Sequence, residues 1–318
     1  MKLLVACDYT IRPDMLKGLK EFEKYDCKIE FFDNEDLSTE DSIYDIMLQT
    51  DKYGAESVKA NPNFVEAVKD ADFLIVHYTI VNKEVIEAAK KLKLIGVMRG
   101  GCDNVNTKLL KEKNIPVVNA PWRSSYAVAD FTVGMMISET KNIAKSHFKL
   151  MNGEWSRDYP NAKNYTDMKN RTIGIIGFGF IGQRVAQNLN GFGCKILVHD
   201  PFLKDEIIKS LGYDAVSLEE LLKTCDIVSL HLRCSEKTLN FIGEKELNMM
   251  RNDATLINSA RAGLIDTDAL LKALKNHKIL GAAIDVFNEE PLPKDSPFMK
   301  LDNVTITPHI AGVSNDTV

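Results

Sequence analysis

Short apolar runs recur along the chain, each set off from the next by a polar or amphipathic stretch. "KLLVAC" is followed by "DMLKGLKEFEKY", whose apolar positions fall at helical spacing, and then by "CKIEFF". Further on come "DFLIVHY", "NKEVIEAAKKL", "LIGVM", "TKLLKEKN" and "PVVN". Runs of strand length alternating with helical patterns predict parallel strands joined by helical crossovers. The polar stretch 33–63 predicts one more helix around "DSIYDIMLQTDKYG" and a turn at "NPN".

A second series begins after "NAPW". One long helix is predicted over 125–152, rich in small residues and methionine, and a polar loop follows it. The alternation then restarts with "TIGIIG", "KILVHD", "CDIVSLHL", "ATLINSA", "ILGAAID" and "NVTITPH". The expected fold class is α/β, with two doubly wound parallel-sheet domains and a cleft between them. A smaller flavodoxin-like substrate domain takes residues 1–118 and a Rossmann domain takes 119–309. Residues 310–318 are expected to start a segment returning to the first domain.

Composition narrows this picture without redirecting it. The length of 318 residues suits about two domains. The net charge of −5 argues against nucleic acid or an anionic membrane surface as a partner. The run at the N-terminus is broken by Asp8 and reads as a first strand, not a signal peptide. The six cysteines form no C-x-x-C pair, which suits a reducing, cytoplasmic compartment and neither zinc nor a disulfide framework. No metal site is expected.

The most specific stretch is "RTIGIIGFGFIGQRVAQNL". A strand runs into Gly177-x-Gly179-x-x-Gly182 and a helix opens at once, the context a dinucleotide site requires. Gly177 allows the tight turn, Gly179 lets backbone approach a pyrophosphate, and Gly182 lets helix pack on strand. The helix N-terminus at Phe180 and Ile181 offers unsatisfied N–H groups to phosphate. Asp200 closes the next strand, placed to accept the ribose hydroxyls of NAD and to repel the phosphate of NADP. His199 and His231, at strand ends in this half, are placed for cofactor contact or packing.

Ligands of doubly wound sheets sit beyond the carboxyl ends of the strands. Arg261 follows "ATLINSA" and its neighbours Ser259 and Ala260; Asp285 follows "GAAI", with Glu289 and Glu290 close behind; His309 follows "NVTITP". Hydride transfer to a carbonyl needs one proton moved, which a histidine does near neutral pH. It also needs a cation to hold a carboxylate, which suits arginine.

Taken together, "GFGFIGQRVA" followed by Asp200, then "INSARAGLID", "AAIDVFNEEPLP" and "TPHIAG", resemble the D-isomer-specific 2-hydroxyacid dehydrogenases over nearly the whole chain. The resemblance implies an NAD-dependent oxidoreductase acting on a small 2-hydroxy or 2-oxo acid. It puts the substrate-binding arginine at Arg261, its glutamate partner at Glu290, the acid/base histidine at His309, and a contact to the nicotinamide carboxamide at Asp285. The loop "RGGCDNVN" resembles the family's carboxylate-holding loop, pointing to Gly100, Gly101 and Cys102. It also implies a homodimer through the NAD-binding domain. His77 is placed to face substrate, and Arg99 and Arg123 to meet a substrate tail. The return helix of relatives is expected to be cut short at Val318. A 3-phosphoglycerate dehydrogenase and a non-catalytic NAD(H)-sensing protein are the alternatives.

Overall fold

The computed structural model describes residues 1–314 and 316. The chain divides into two units, one of Met1–Arg123 and one from Ser124 on.

The first unit holds five parallel strands, β1 (Lys2–Cys7), β2 (Lys28–Asp33), β3 (Phe73–Val76), β4 (Leu94–Val97) and β5 (Val117–Asn119), in the order β2-β1-β3-β4-β5. That is the flavodoxin-like order 2-1-3-4-5. The crossovers carry α1 (Glu40–Tyr53), α2 (Pro62–Ala67), α3 (Lys83–Ala88) and α4 (Thr107–Glu112). Alternation along β1 divides the core: Leu4 and Ala6 join Leu74, Val76, Ile95 and Phe64 on one face, and Leu3, Val5 and Cys7 join Cys27 on the other. Burying each large side chain contributes about 1.5–3 kcal/mol. The helix expected at "DMLKGLKEFEKY" is instead a 3-10 segment, Lys17–Tyr25, with no buried residue. Without a buried face, the packing that normally sustains an α-helix is missing. Residues 119–123 stay with this unit. The Ala120 N–H donates to the Arg99 carbonyl at 3.0 Å, and Asn119 Nδ2 donates to the Gly100 carbonyl at 2.7 Å.

The second unit opens with α5 (Ser125–Thr140) and α6 (Ile143–Met151). The single helix expected over 125–152 is broken because Asn142 is left-handed, with φ 54°. Its buried amide donates to Asn161 Oδ1 and Tyr165 Oη, while Asn161 Nδ2 donates to the carbonyls of Glu139 and Thr140. The loop around 161–165 therefore takes up the carbonyls that would otherwise continue the helix.

Seven parallel strands follow: β6 (Thr172–Ile176), β7 (Lys195–His199), β8 (Asp214–Ala215), β9 (Ile227–Leu230), β10 (Thr255–Asn258), β11 (Gly281–Ile284) and β12 (Val304–Ile306). Between them run α7 (Phe180–Asn190), α8 (Asp205–Ser210), α9 (Leu218–Thr224), α10 (Glu244–Met249) and α11 (Thr267–Lys275). The order is β12-β11-β10-β9-β6-β7-β8. Counted within the unit this is 3-2-1-4-5-6 with a seventh strand added, the Rossmann arrangement, and it reverses between β6 and β9. The two-residue β8 is too short to register in the hydrophobic pattern, which is why six runs were expected and seven are found. Near-continuous apolar strands such as β9 and β11 fit a sheet covered on both faces.

Of the expected return segment 310–318, residues 315, 317 and 318 lie outside the described residues. Ala311 is buried against the second unit, its N–H donating to Asp285 Oδ2 at 2.9 Å.

Candidate active site

The turn between β6 and α7 is shaped by two glycines. Gly177 has φ 93°, and a Cβ there would lie 2.7 Å from the His231 carbonyl carbon and 2.8 Å from the Leu232 nitrogen. Only glycine fits, because the His231–Leu232 backbone just past β9 runs directly over the turn. A Cβ at Gly182 would overlap the Gly177 carbonyl oxygen, so α7 can approach β6 only there. Gly179, the residue capping α7, has nothing within 4 Å of its Cβ position. That space lies before the N-terminus of an eleven-residue helix, where the partial positive charge favours phosphate. The cradle fits a dinucleotide pyrophosphate.

Asp200 ends β7 beside this turn. Its Oδ2 accepts the Phe178 N–H at 2.6 Å, and its Oδ1 accepts those of Phe202 and Leu203 at 2.8 and 3.0 Å. The carboxylate is thereby fixed at the edge of the turn, with lone pairs left for ribose hydroxyls. His231 follows β9. Its Nε2 lies 2.9 Å from Ser229 Oγ, and its Nδ1 is shut off from water with no hydrogen-bond partner. Burial pushes its pKa down to about 3, so the ring is neutral.

Three loops at the carboxyl ends of β10, β11 and β12 carry the remaining groups. Buried Asn258 shapes the first: its Oδ1 accepts the Ala260 N–H at 3.0 Å and its Nδ2 donates to the Arg261 carbonyl at 2.9 Å. This clamp presents the Arg261 side chain outward as an exposed residue. Asn258 was not singled out from sequence, although it is polar and closes an apolar strand at the active edge.

Asp285, expected to reach a cofactor, is wholly buried. Its Oδ1 accepts the Thr307 hydroxyl at 2.6 Å and the Ile310 N–H at 3.0 Å, and its Oδ2 accepts the Ala311 N–H. All three donors flank His309, so this carboxylate holds the histidine loop. His309 itself has φ 55°. Its Nδ1 lies 2.8 Å from Glu290 Oε2, and Glu290 Oε1 accepts the Phe287 N–H at 2.7 Å. The Glu290 side chain is 5% exposed and the His309 side chain 17%, so the pair meets solvent only at the ring. With Nδ1–H committed to the carboxylate, Nε2 is the nitrogen available for proton transfer.

In the first unit, His77 was expected to face substrate. It is buried with both ring nitrogens engaged, Nδ1 to Asp8 Oδ2 at 2.9 Å and Nε2 to Arg123 Nη1 at 3.0 Å. Burial, helped by the charges of Arg123 and Arg99, holds its pKa below the usual imidazole range against the pull of Asp8. At Gly100, before Gly101 and the half-buried Cys102, a Cβ would meet Pro121 only at an ordinary 3.6 Å. The fold itself therefore does not demand glycine at 100.

Among the described residues no three His, Cys, Asp or Glu side chains group to hold a metal ion, and no helix is long and apolar enough to cross a membrane. A Rossmann sheet with open space at its glycine turn, and with a His–Glu pair and an arginine at the same carboxyl edge, is the arrangement of a dinucleotide-dependent dehydrogenase. The chain belongs to the D-isomer specific 2-hydroxyacid dehydrogenase family, whose NAD binding domain matches residues 133–311. It is 43% identical over 249 residues, 77% of its length, to D-3-phosphoglycerate dehydrogenase of Methanocaldococcus jannaschii, of which it spans about half (46%). To glyoxylate reductase of Korarchaeum cryptofilum it is 36% identical over 271 residues, covering 85% of this chain and 82% of that one. Among solved structures, D-lactate dehydrogenase of Aquifex aeolicus, complexed with NAD and lactic acid, superimposes with a TM-score of 0.71 at 27% identity over 99% of this chain and 90% of that one.

Proposed function

We propose that this chain is an NAD-dependent oxidoreductase that interconverts a small D-2-hydroxy acid and its 2-oxo acid. The observation that carries the reading is the His309–Glu290 pair at 2.8 Å, set at the strand edge that also holds the glycine turn. Gly177, Gly179 and Gly182, the Phe180–Ile181 start of α7, and Asp200 hold the dinucleotide; His231, Ser259 and Ala260 complete its surroundings. Bound NADH supplies the hydride delivered to C2 of the 2-oxo acid.

The residues do the rest. Arg261 grips the substrate carboxylate with its planar fork and draws charge from the neighbouring carbonyl. In the reduction His309 Nε2 gives its proton to the carbonyl oxygen as it becomes a hydroxyl, and in the oxidation it takes that proton back. Glu290 faces the imidazolium and fixes the ring through Nδ1. Asp285 positions the His309 loop and, with the dinucleotide bound, meets its nicotinamide carboxamide. Within the first unit the Gly100–Gly101–Cys102 backbone offers N–H groups suited to a substrate carboxylate, supported by a glycine at 100 that the fold does not require.

The six free cysteines support a reducing, cytoplasmic setting. Exposed Ile143, Phe148 and Met151 on and around α6 support a homodimer through the NAD-binding unit. The reading is tested by mixing protein, NADH and a panel of 2-oxo acids and following NADH absorbance. Turnover is expected with at least one acid, and His309→Ala should abolish it while NADH fluorescence titration still reports binding. Full turnover in that variant would overturn the mechanism.

A further inference from the structure

Helix α5 carries polar side chains on one face that the chemistry above does not use. It packs across β10, β11 and β12, the three strands that deliver Arg261, Glu290 and His309. Thr132, Met135 and Glu139 are all buried and fall at the i, i+3, i+7 spacing of a single helix face.

The Thr132 hydroxyl oxygen stands 2.6 Å from the Val128 carbonyl, one turn back, and 2.6 Å from Ser259 Oγ. A hydroxyl has one hydrogen and a carbonyl can only accept. Thr132 therefore donates to Val128, and the Ser259 hydroxyl donates to Thr132. The bond back to Val128 is ordinary for a helical threonine. The bond from Ser259 ties α5 to the turn that presents Arg261. Asn258 clamps that turn from within, and Thr132 holds it from outside.

Two turns further along the helix, Glu139 grips β12. Its Oε2 accepts the Thr305 hydroxyl at 2.6 Å, and its Oε1 faces Lys145 Nζ at 2.6 Å. The Glu139 and Lys145 side chains are only 3% and 12% exposed. β11 makes room for the carboxylate with a glycine: a Cβ on Gly281 would run into Glu139 Oε1 and lie 2.8 Å from the Asn303 carbonyl oxygen. A buried ion pair rarely adds net stability, because desolvation offsets its attraction, and its best-attested use is to fix register. Beyond Thr305, Thr307 Oγ1 lies 3.9 Å from Met135 Sδ and donates to Asp285 Oδ1, two residues before His309. One helix face thus bears on the arginine turn through Thr132 and on the histidine strand through Met135 and Glu139.

We propose that α5 is the reference element that sets the Arg261 turn against the His309 loop, with Thr132 and Glu139 as positioning residues that touch neither reactant. This rests on the 2-hydroxyacid dehydrogenase reading and deepens it. The groups that meet the carboxylate and the carbonyl of one small acid are kept in register by a single helix.

The test separates the two contacts. Thr132→Val keeps the shape and removes the acceptor of the Ser259 hydroxyl. KM for the 2-oxo acid is expected to rise about three- to tenfold, with kcat changed less than about twofold, and Thr132→Ser to restore it. Thr305→Val removes the bond to Glu139 and spares its pair with Lys145. Here kcat is expected to fall about three- to tenfold with NADH affinity unchanged. Ser259→Ala and Glu139→Gln attack the same contacts from their other ends and serve if a first variant does not fold. Amide hydrogen exchange reads the positioning without turnover: Thr132→Val should speed exchange in 259–263 and Thr305→Val in 307–311, each leaving the other segment as it was. A lower melting temperature with wild-type kcat, KM and exchange would reduce both contacts to stability and overturn the proposal, leaving the dehydrogenase reading intact. The same kinetic loss in both variants would also overturn it. Absence of turnover with every acid, alongside separate loosening of the two segments, would sink the dehydrogenase reading and leave the role of α5. Unchanged exchange in both segments refutes that role whether or not an acid is turned over.

Discussion

The Nδ1 atom of His309 stands 2.8 Å from Oε2 of Glu290, and Oε1 of the same carboxylate is held by the Phe287 N–H. The ring is thus oriented by a group that is itself fixed to backbone. Glu290→Gln keeps the shape and removes the charge that stabilises the imidazolium. A loss of about a hundredfold in kcat is expected, with NADH affinity unchanged. Steady-state kinetics beside a fluorescence titration checks both parts, and an unchanged kcat would deny Glu290 its role.

Arg261 is presented outward by the Asn258 clamp. Arg261→Lys replaces a planar fork with a point charge and should raise KM for the 2-oxo acid by about ten- to a hundredfold. Asn258→Ala should reproduce part of that rise without touching substrate, since it frees the turn. A KM unchanged in both variants would place carboxylate binding elsewhere.

The glycine turn separates folding from binding. Gly177→Ala forces a Cβ onto the His231–Leu232 backbone at a positive φ, and a cost of at least about 1–3 kcal/mol is expected as a lower melting temperature. Gly179→Val meets no protein atom within 4 Å, so its melting temperature should hold while NADH binding weakens. If Gly179→Val bound NADH normally, the pyrophosphate would lie elsewhere.

Asp200 is expected to set the preference for NADH over NADPH. Asp200→Ala removes a carboxylate from the ribose position and should shift the kcat/KM ratio toward NADPH by about tenfold, roughly 1.4 kcal/mol and within the scale of one partly solvated charge pair. Some loss with NADH should accompany it, because the Phe178 N–H loses its acceptor.

His231 and His77 are both buried with lowered pKa values, His231 to about 3. Each is neutral in the fold and takes up a proton on unfolding below about pH 6.5. The unfolded state then binds more protons, so stability falls as pH drops from about 6.5 toward 3. For His231 the slope approaches ~1.4 kcal/mol per pH unit. His231→Asn should flatten that slope in denaturant melts at pH 4 to 7, and a slope identical to wild type would show that the ring is not the titrating group.

Much of this was legible in the sequence. The period of apolar runs gave parallel α/β units, because buried parallel strands must be apolar along their length. The position of Arg261, Glu290 and His309 beyond the carboxyl ends of β10, β11 and β12 was legible because each comes after such a run. What escaped depended on contacts across the chain. Asn142 breaks its helix through partners at 161 and 165, Asn258 clamps a turn with a side chain any strand end could carry, and β8 is two residues long. The burial of His77 escaped because nothing local says that Asp8, far back in the chain, has claimed one of its nitrogens.

Asp285 holds the backbone on either side of His309, while Glu290 holds the ring. Both carboxylates leave the same strand end, so the stretch of chain between them works as a caliper whose two jaws grip one histidine. Its length is therefore under constraint even where its side chains are not. A residue inserted between 286 and 289 would leave the loop anchored and the ring unaimed, giving a folded protein that binds nucleotide and transfers no proton.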